Sequence, residues 1–207
     1  MLPFIEFRND GKTVFISGYA NITEKESNFI NENGKTFKEI ILPKAFDKAL
    51  KRASDVMLLF NHKEDRVLGS KMNGVKMIEN EIGLKIEAEI NDPTIVNKVK
   101  QNRSFLNGWS FGFISRKEEY RKKDNYQQRL ISDLDLIEVS LLGGGTRPAY
   151  PSATAIEVRS DGTLERRFIE FENSKSIVES VDLSRYEKQI KFLNLKGLKI
   201  NETTISN

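Results

Sequence analysis

The stretch Leu134-Asp-Leu-Ile-Glu-Val-Ser-Leu-Leu142 constrains the fold more than any other part of the chain. Alternate residues of an extended strand face opposite sides. Here both parities are apolar, with Leu134, Leu136 and Leu142 on one and Ile137, Val139 and Leu141 on the other. Such a strand has to be covered on both faces, so it belongs inside a sheet with packed material on either side. Glu138 lies in its middle. A carboxylate there is costly unless it is paired or hydrogen-bonded. An imidazole N–H would satisfy it, and so would an ion pair with one of the many Lys and Arg residues.

The other patterns supply the sheet around that strand. Residues 13–20 are β-prone and follow an Asn9-Asp-Gly11 turn signal. Residues 55–60 contain a short apolar run of buried-strand length. In residues 82–90, Ile82, Leu84, Ile86, Ala88 and Ile90 alternate with charged residues, which describes a one-sided strand. Val75–Glu79 is placed to pair with it across Asn80-Glu81. Two short helices interrupt the strands. One opens at Pro43 and carries Phe46, Ala49, Leu50 and Ala53 on one side. The other opens at Asp92-Pro93, with Ile95, Val96 and Val99 as its apolar stripe. The predicted class is mainly β (α+β), a β-barrel or curled sheet with peripheral helices.

Nearly all the clean periodicity lies in residues 1–158, which read as one domain. Residues 159–207 are polar and mixed in charge, a C-terminal tail with a third helix predicted near 183–196. No apolar run approaches the length of a bilayer span, and Met1 to Arg8 lacks a signal-peptide core, so the chain reads as cytosolic.

Composition narrows the chemistry. The absence of cysteine removes disulfides, thiolate nucleophiles and cysteine-ligated zinc or iron–sulfur clusters. A single histidine, His62, rules out any site in one chain that needs two. Three segments each set one reactive residue among apolar neighbours. His62 ends the run Met57-Leu-Leu-Phe-Asn-His62, before a charged turn at Lys63–Asp65. Ser110 sits in Gly108-Trp-Ser-Phe-Gly-Phe-Ile114, where Trp109, Phe111 and Phe113 share a core-like face and Ser110 and Gly112 lie on the other. The flanking glycines leave clearance that a nucleophile would use. Glu138 is the third. Together they offer a nucleophile, a base and an orienting acid, so a Ser-His-carboxylate arrangement is within the chain's means. Gly108–Gly112 also spells Gly-x-Ser-x-Gly, but that elbow requires a strand-to-helix turn and a histidine after the serine, and neither condition holds.

Seven pieces of the chain, in order, resemble the prohead (capsid maturation) serine proteases of tailed bacteriophages, a family related in fold to the herpesvirus assembly proteases. They are Gly18-Tyr-Ala20, Glu39-Ile-Ile-Leu-Pro-Lys-Ala-Phe46, Leu59-Phe-Asn-His62 with Leu68-Gly69, Gly83-Leu84, Gly108–Phe113, Leu136–Leu141 and Arg147-Pro-Ala-Tyr-Pro-Ser-Ala153. Lys44 stands where the family usually has Gly. The resemblance implies a herpesvirus-protease-like barrel. It also implies His62 as general base, Ser110 as nucleophile and Glu138 as third member, with Asp133 and Asp135 as competing acids. Arg147, after the Gly143-Gly-Gly145 loop, would support oxyanion binding. The implied activity is a serine endopeptidase needing no metal or cofactor. It would act in the host cytoplasm inside the immature capsid, on the major capsid protein, on scaffold and on itself. The herpesvirus relatives are dimers, which makes a homodimer part of the implication; no membrane partner is implied.

Two other readings stand beside this one. The first is a catalytically silent capsid-assembly protein on the same fold, with residues 159–207 docking to scaffold. The second is a nucleic-acid-binding barrel that stacks bases on Phe105, Trp109, Phe111 and Phe113 beside the basic run Arg121-Lys-Lys123. A formal charge of only +3 and the core-like spacing of the aromatics argue against the second.

Overall fold

A computed structural model describes residues 4–32 and 35–146, together with the backbone of three later strands at 154–158, 164–169 and 176–180. In chain order the elements are β1 (Phe4–Arg8), β2 (Thr13–Ile22), β3 (Ile30–Glu32), β4 (Lys35–Ile41), α1 (Ala45–Arg52), β5 (Met57–Phe60), β6 (Lys63–Ser70), β7 (Val75–Glu79) and β8 (Gly83–Ile90). They continue with α2 (Pro93–Gln101), β9 (Leu106–Lys123), β10 (Tyr126–Gly143), β11 (Thr154–Val158), β12 (Leu164–Ile169) and β13 (Ser176–Ser180). The predicted helix near 183–196 lies outside the described residues.

The protein is mainly β, as expected, and its strands form two open sheets. One has the order β1-β2-β8-β7. The other runs β13-β12-β11-β9-β10-β4-β3, with the β5–β6 hairpin joined to β10 as well. Among the described residues neither order closes on itself. The long β9–β10 hairpin is the spine of the larger sheet. β4 runs parallel to β10 at Gln127–Ile131 and β5 runs parallel to it at Glu138–Leu141.

The core lies between the sheets. Val14, Ile16, Leu84, Ile86, Ala88 and Ile90 of the smaller sheet meet Trp109, Phe111, Phe113, Leu136, Val139 and Leu141 of the larger. Gly18 of β2 is what lets them close, because a Cβ there would strike the Trp109 indole. The helices pack at the margin. Phe46 of α1 meets Phe111 edge-on at 5.1 Å, and Ile95, Val96 and Val99 of α2 are buried as predicted. The Asp92 carboxylate caps α2 by accepting from Ile95 N–H.

Several expectations need correction. Ile82 is 48% exposed. It belongs to the β7–β8 turn, where the Asn80 side chain accepts from the N–H groups of Ile82 and Gly83. Helix α1 starts at Ala45, two residues past Pro43, and Lys44 before it is left-handed at φ 72°. The charged residues Lys63–Asp65 lie within β6, so the turn falls one step earlier, at Asn61-His62. Most informative is a bulge in β10 between Leu136 and Glu138. Ile137 is the extra residue, and it resets the alternation. Leu134 and Leu136 thereby join Val139 and Leu141 on the core face, and Glu138 turns to the other. Burial on both faces of β10 holds throughout 134–143.

Candidate active site

His62 is the second residue of a two-residue hairpin between Phe60 and Lys63. Asn61 and His62 both have positive φ, 52° and 59°, which is the type I′ turn that fits the twist of adjacent strands. The Asn61 side chain ties this turn to the end of β10. Its Nδ2 donates to the Gly143 carbonyl and its Oδ1 accepts from Gly143 N–H, both at 2.9 Å. The Asn61 main-chain N–H donates to the Leu141 carbonyl at 3.0 Å. The amide thus extends the β-ladder by one rung, and His62 is held over the face that carries Glu138.

His62 and Glu138 are in direct contact, with Nδ1 and Oε1 2.9 Å apart, and both side chains are 1% exposed. The second carboxylate oxygen of Glu138 accepts from the Ser140 hydroxyl at 2.7 Å. The Ser140 oxygen in turn accepts from the main-chain N–H of His62 at 3.1 Å. An ionised carboxylate only accepts, so the imidazole Nδ1 carries the proton in this pair and Nε2 is left as the basic nitrogen.

Ser110 lies on the same face. In the β9–β10 ladder it is directly opposite Ser140, and Gly112 is opposite Glu138. Residues so paired share a face, with Cβ atoms about 5 Å apart. Ser110 is fully buried, and among the described residues its hydroxyl has no hydrogen-bond partner. The role of Gly112 differs from the clearance expected around the serine. A Cβ at this position would come within 2.9 Å of Glu138 Oε1, so the missing side chain makes room for the acid.

The competing acids are engaged elsewhere. Asp133 accepts from Arg52 at 2.6 Å. Asp135 accepts from Arg52 at 3.2 Å and from Arg116 at 2.9 Å. Arg147 lies outside the described residues. In the glycine loop, Gly143 N–H donates to Asn61 and Gly144 N–H donates to the Phe105 carbonyl at 3.0 Å, so neither is directed at a substrate. The aromatics Trp109, Phe111 and Phe113 are buried, which removes the stacking platform of the nucleic-acid reading. Within the basic run, Arg121 pairs with Glu119 and Lys123 with Glu26. No group of three or more acids and histidines converges among the described residues.

Sequence reasoning missed Ser140 and Asn61. A signal for each was present. Ser140 is two residues from Glu138 in one strand, hence on its face, and Asn-His between the apolar end of one strand at Phe60 and the charged Lys63-Glu-Asp65 is compatible with a turn that needs positive φ.

The sequence profile of the caudovirus prohead serine proteases matches residues 4–166, which spans every strand from β1 to β11 and all of the residues discussed above. No curated protein and no solved structure matches the chain.

Proposed function

Since the chain belongs to the caudovirus prohead serine protease family, we propose that it is the serine endopeptidase of phage capsid maturation, with Ser110 as nucleophile, His62 as base and Glu138 as the acid that orients the imidazole. Family membership carries the coarser statement, a protease role in capsid maturation with capsid proteins as substrates. The single observation that supports the residue assignment is the buried His62–Glu138 contact at 2.9 Å, on the face where Ser110 lies opposite Ser140 with its hydroxyl unpartnered among the described residues.

The chemistry is acyl transfer. His62 Nε2 takes the Ser110 proton as Oγ attacks the peptide carbonyl, and the imidazolium is stabilised by Glu138. The proton then passes to the leaving amine as the C–N bond breaks. Water, deprotonated by the same nitrogen, attacks the acyl-enzyme, releases the new carboxyl end and returns the proton to Ser110. Among the described residues of this loop, Gly145 and Thr146 are the positions proposed to serve the oxyanion, with Arg147 as the supporting residue the resemblance implies. Ser110 is fully buried, so the cover over this face must move before a peptide reaches it. The substrates proposed are the major capsid protein, scaffold and the chain itself. The site of action is the immature capsid in the host cytoplasm. Among the described residues no helix is long and apolar enough to cross a membrane.

The test is intact mass of freshly expressed wild type beside Ser110→Ala, each alone and mixed with the major capsid protein of the same genome. Fragments that appear only with the wild type establish the protease and read out its cut sites. An assembled capsid protein left whole by both would give the silent assembly role its case.

A further inference from the structure

Ser140 has no part in the acyl-transfer scheme above, yet it touches both partners of the acid–base pair. A hydroxyl has one proton and two lone pairs. The His62 main-chain N–H, which can only donate, points at Oγ from 3.1 Å. The hydroxyl proton is therefore directed to Glu138 Oε2, 2.7 Å away. Oε1 receives the ring proton from Nδ1 at 2.9 Å. The four groups close a ring: His62 main chain, Ser140 hydroxyl, Glu138 carboxylate, His62 imidazole.

Resting on the assignment of His62 and Glu138 as base and orienting acid, we infer that Ser140 is a positioning residue that sets the plane of the Glu138 carboxylate and through it the tautomer of His62. A carboxylate held by one oxygen can swing about its last torsion, which is broad and soft. Held by both, it presents Oε1 to the imidazole in one direction. The location fits this task. Ser140 sits between Ser110 on β9 and Leu59 on β5 in the ladder, so the register of the central strand fixes its distance to the nucleophile and to the His62 hairpin alike. It is also completely buried, a place where an unpaired hydroxyl would be costly and an alanine or valine would serve packing as well.

His62 is the only histidine, so its imidazole resonances assign themselves. The experiment pairs turnover on the capsid protein with proton and nitrogen NMR of that ring, the spectra being taken on the full chain in a Ser110→Ala background to prevent self-cutting. Ser140→Ala is expected to lower kcat about tenfold to a hundredfold, the scale set by misaligned reacting groups, with KM within about twofold. The low-field Nδ1 proton should weaken and the Nε2–H tautomer should grow. Ser140→Thr, which keeps the hydroxyl, should restore both signals, whereas Ser140→Val, its isostere without one, should not. That pair decides the matter if the alanine variant does not fold. Wild-type kcat together with an unchanged ring proton in Ser140→Ala and Ser140→Val would overturn the inference while Ser110→Ala still shows the protease reading to be sound. A wild type that cuts nothing, with a ring proton that still collapses in Ser140→Ala, would sink the protease reading and leave the positioning ring standing.

Discussion

The Glu138 carboxylate occupies the space that a side chain at Gly112 would fill, with Oε1 2.9 Å from where that Cβ would stand. The two residues are ladder partners on β10 and β9, so backbone movement that widened the gap would also have to break the sheet's central pairing. The carboxylate is the part free to give way. Gly112→Ala should displace Glu138 from His62 and lower turnover by at least about tenfold, with a stability loss of about 1–3 kcal/mol typical of overpacking. Turnover and thermal melting on the same preparation check it, and wild-type turnover would show that the acid does not need its present position.

The identity of the acid separates cleanly by variant. Glu138→Gln must set an amide N–H₂ against either the Ser140 hydroxyl or His62 Nδ1, both donors in the present arrangement. Turnover should fall roughly a thousandfold or more, as when an amide traps the wrong imidazole tautomer, while the melting temperature changes little. Asp135→Asn should do the reverse. Its carboxylate holds Arg52 and Arg116, and breaking such a largely buried pairing costs about 3 kcal/mol. Catalysis per folded molecule should persist. The opposite pattern would move the third role to Asp135.

Helix α1 is started by two unusual devices. Lys44 precedes it in a left-handed conformation, φ 72°, that costs a non-glycine residue about 1 kcal/mol. Its cap comes from another strand: the Glu79 carboxylate of β7 accepts from the N–H groups of Lys44 and Asp47, both at 2.6 Å. Lys44→Gly should raise stability by up to about 1 kcal/mol, and Glu79→Ala should lower it by about 1–2 kcal/mol. Chemical denaturation of the two variants reads both signs.

What could be read from the sequence followed from periodicity and local chemistry. The alternation through residues 84–90, the Asp92-Pro93 helix start and the double burial around Leu134–Leu142 needed no partner to be recognised, and the structure has all three. His62 at a strand end and Glu138 in a buried strand were legible because each is chemically out of place there. The rest depends on pairing. Ile137 looks like any core residue, and only the ladder shows that it is extra and that Leu134 and Leu136 change faces because of it. Gly112 reads as space, but what fills the space is decided by the residue opposite. Ser140 looks like a filler between two apolar residues until its neighbours across the sheet are known. Ile82 follows the alternation perfectly and is nonetheless in a turn, since Asn80 ends the strand before it.

The far end of the β9–β10 hairpin gives a pH prediction independent of catalysis. Glu26 accepts from Tyr126 at 2.8 Å, Lys38 at 3.0 Å, Gln128 at 2.6 Å and Lys123 at 3.3 Å. Burial pushes its carboxyl up, but these donors together outweigh burial and hold the pKa at about 2, against an ordinary 4.5. A carboxyl whose folded pKa is depressed stabilises the fold in full above its unfolded value, and loses that contribution as pH falls through the folded one. The wild type should therefore exceed Glu26→Gln in melting temperature by a constant margin above pH 4.5, and the margin should shrink as pH falls towards 2. Residues 23–29 gain their hold on the hairpin through this carboxylate and the edge-on Phe29–Tyr126 contact at 5.3 Å. Hydrogen exchange at β3 and at the hairpin tip should accordingly speed up in Glu26→Gln at neutral pH, while exchange at Ser110, Glu138 and Ser140 stays at the wild-type rate. A margin that is flat from neutral pH down to 2 would show that the four donors do not favour the charged carboxylate.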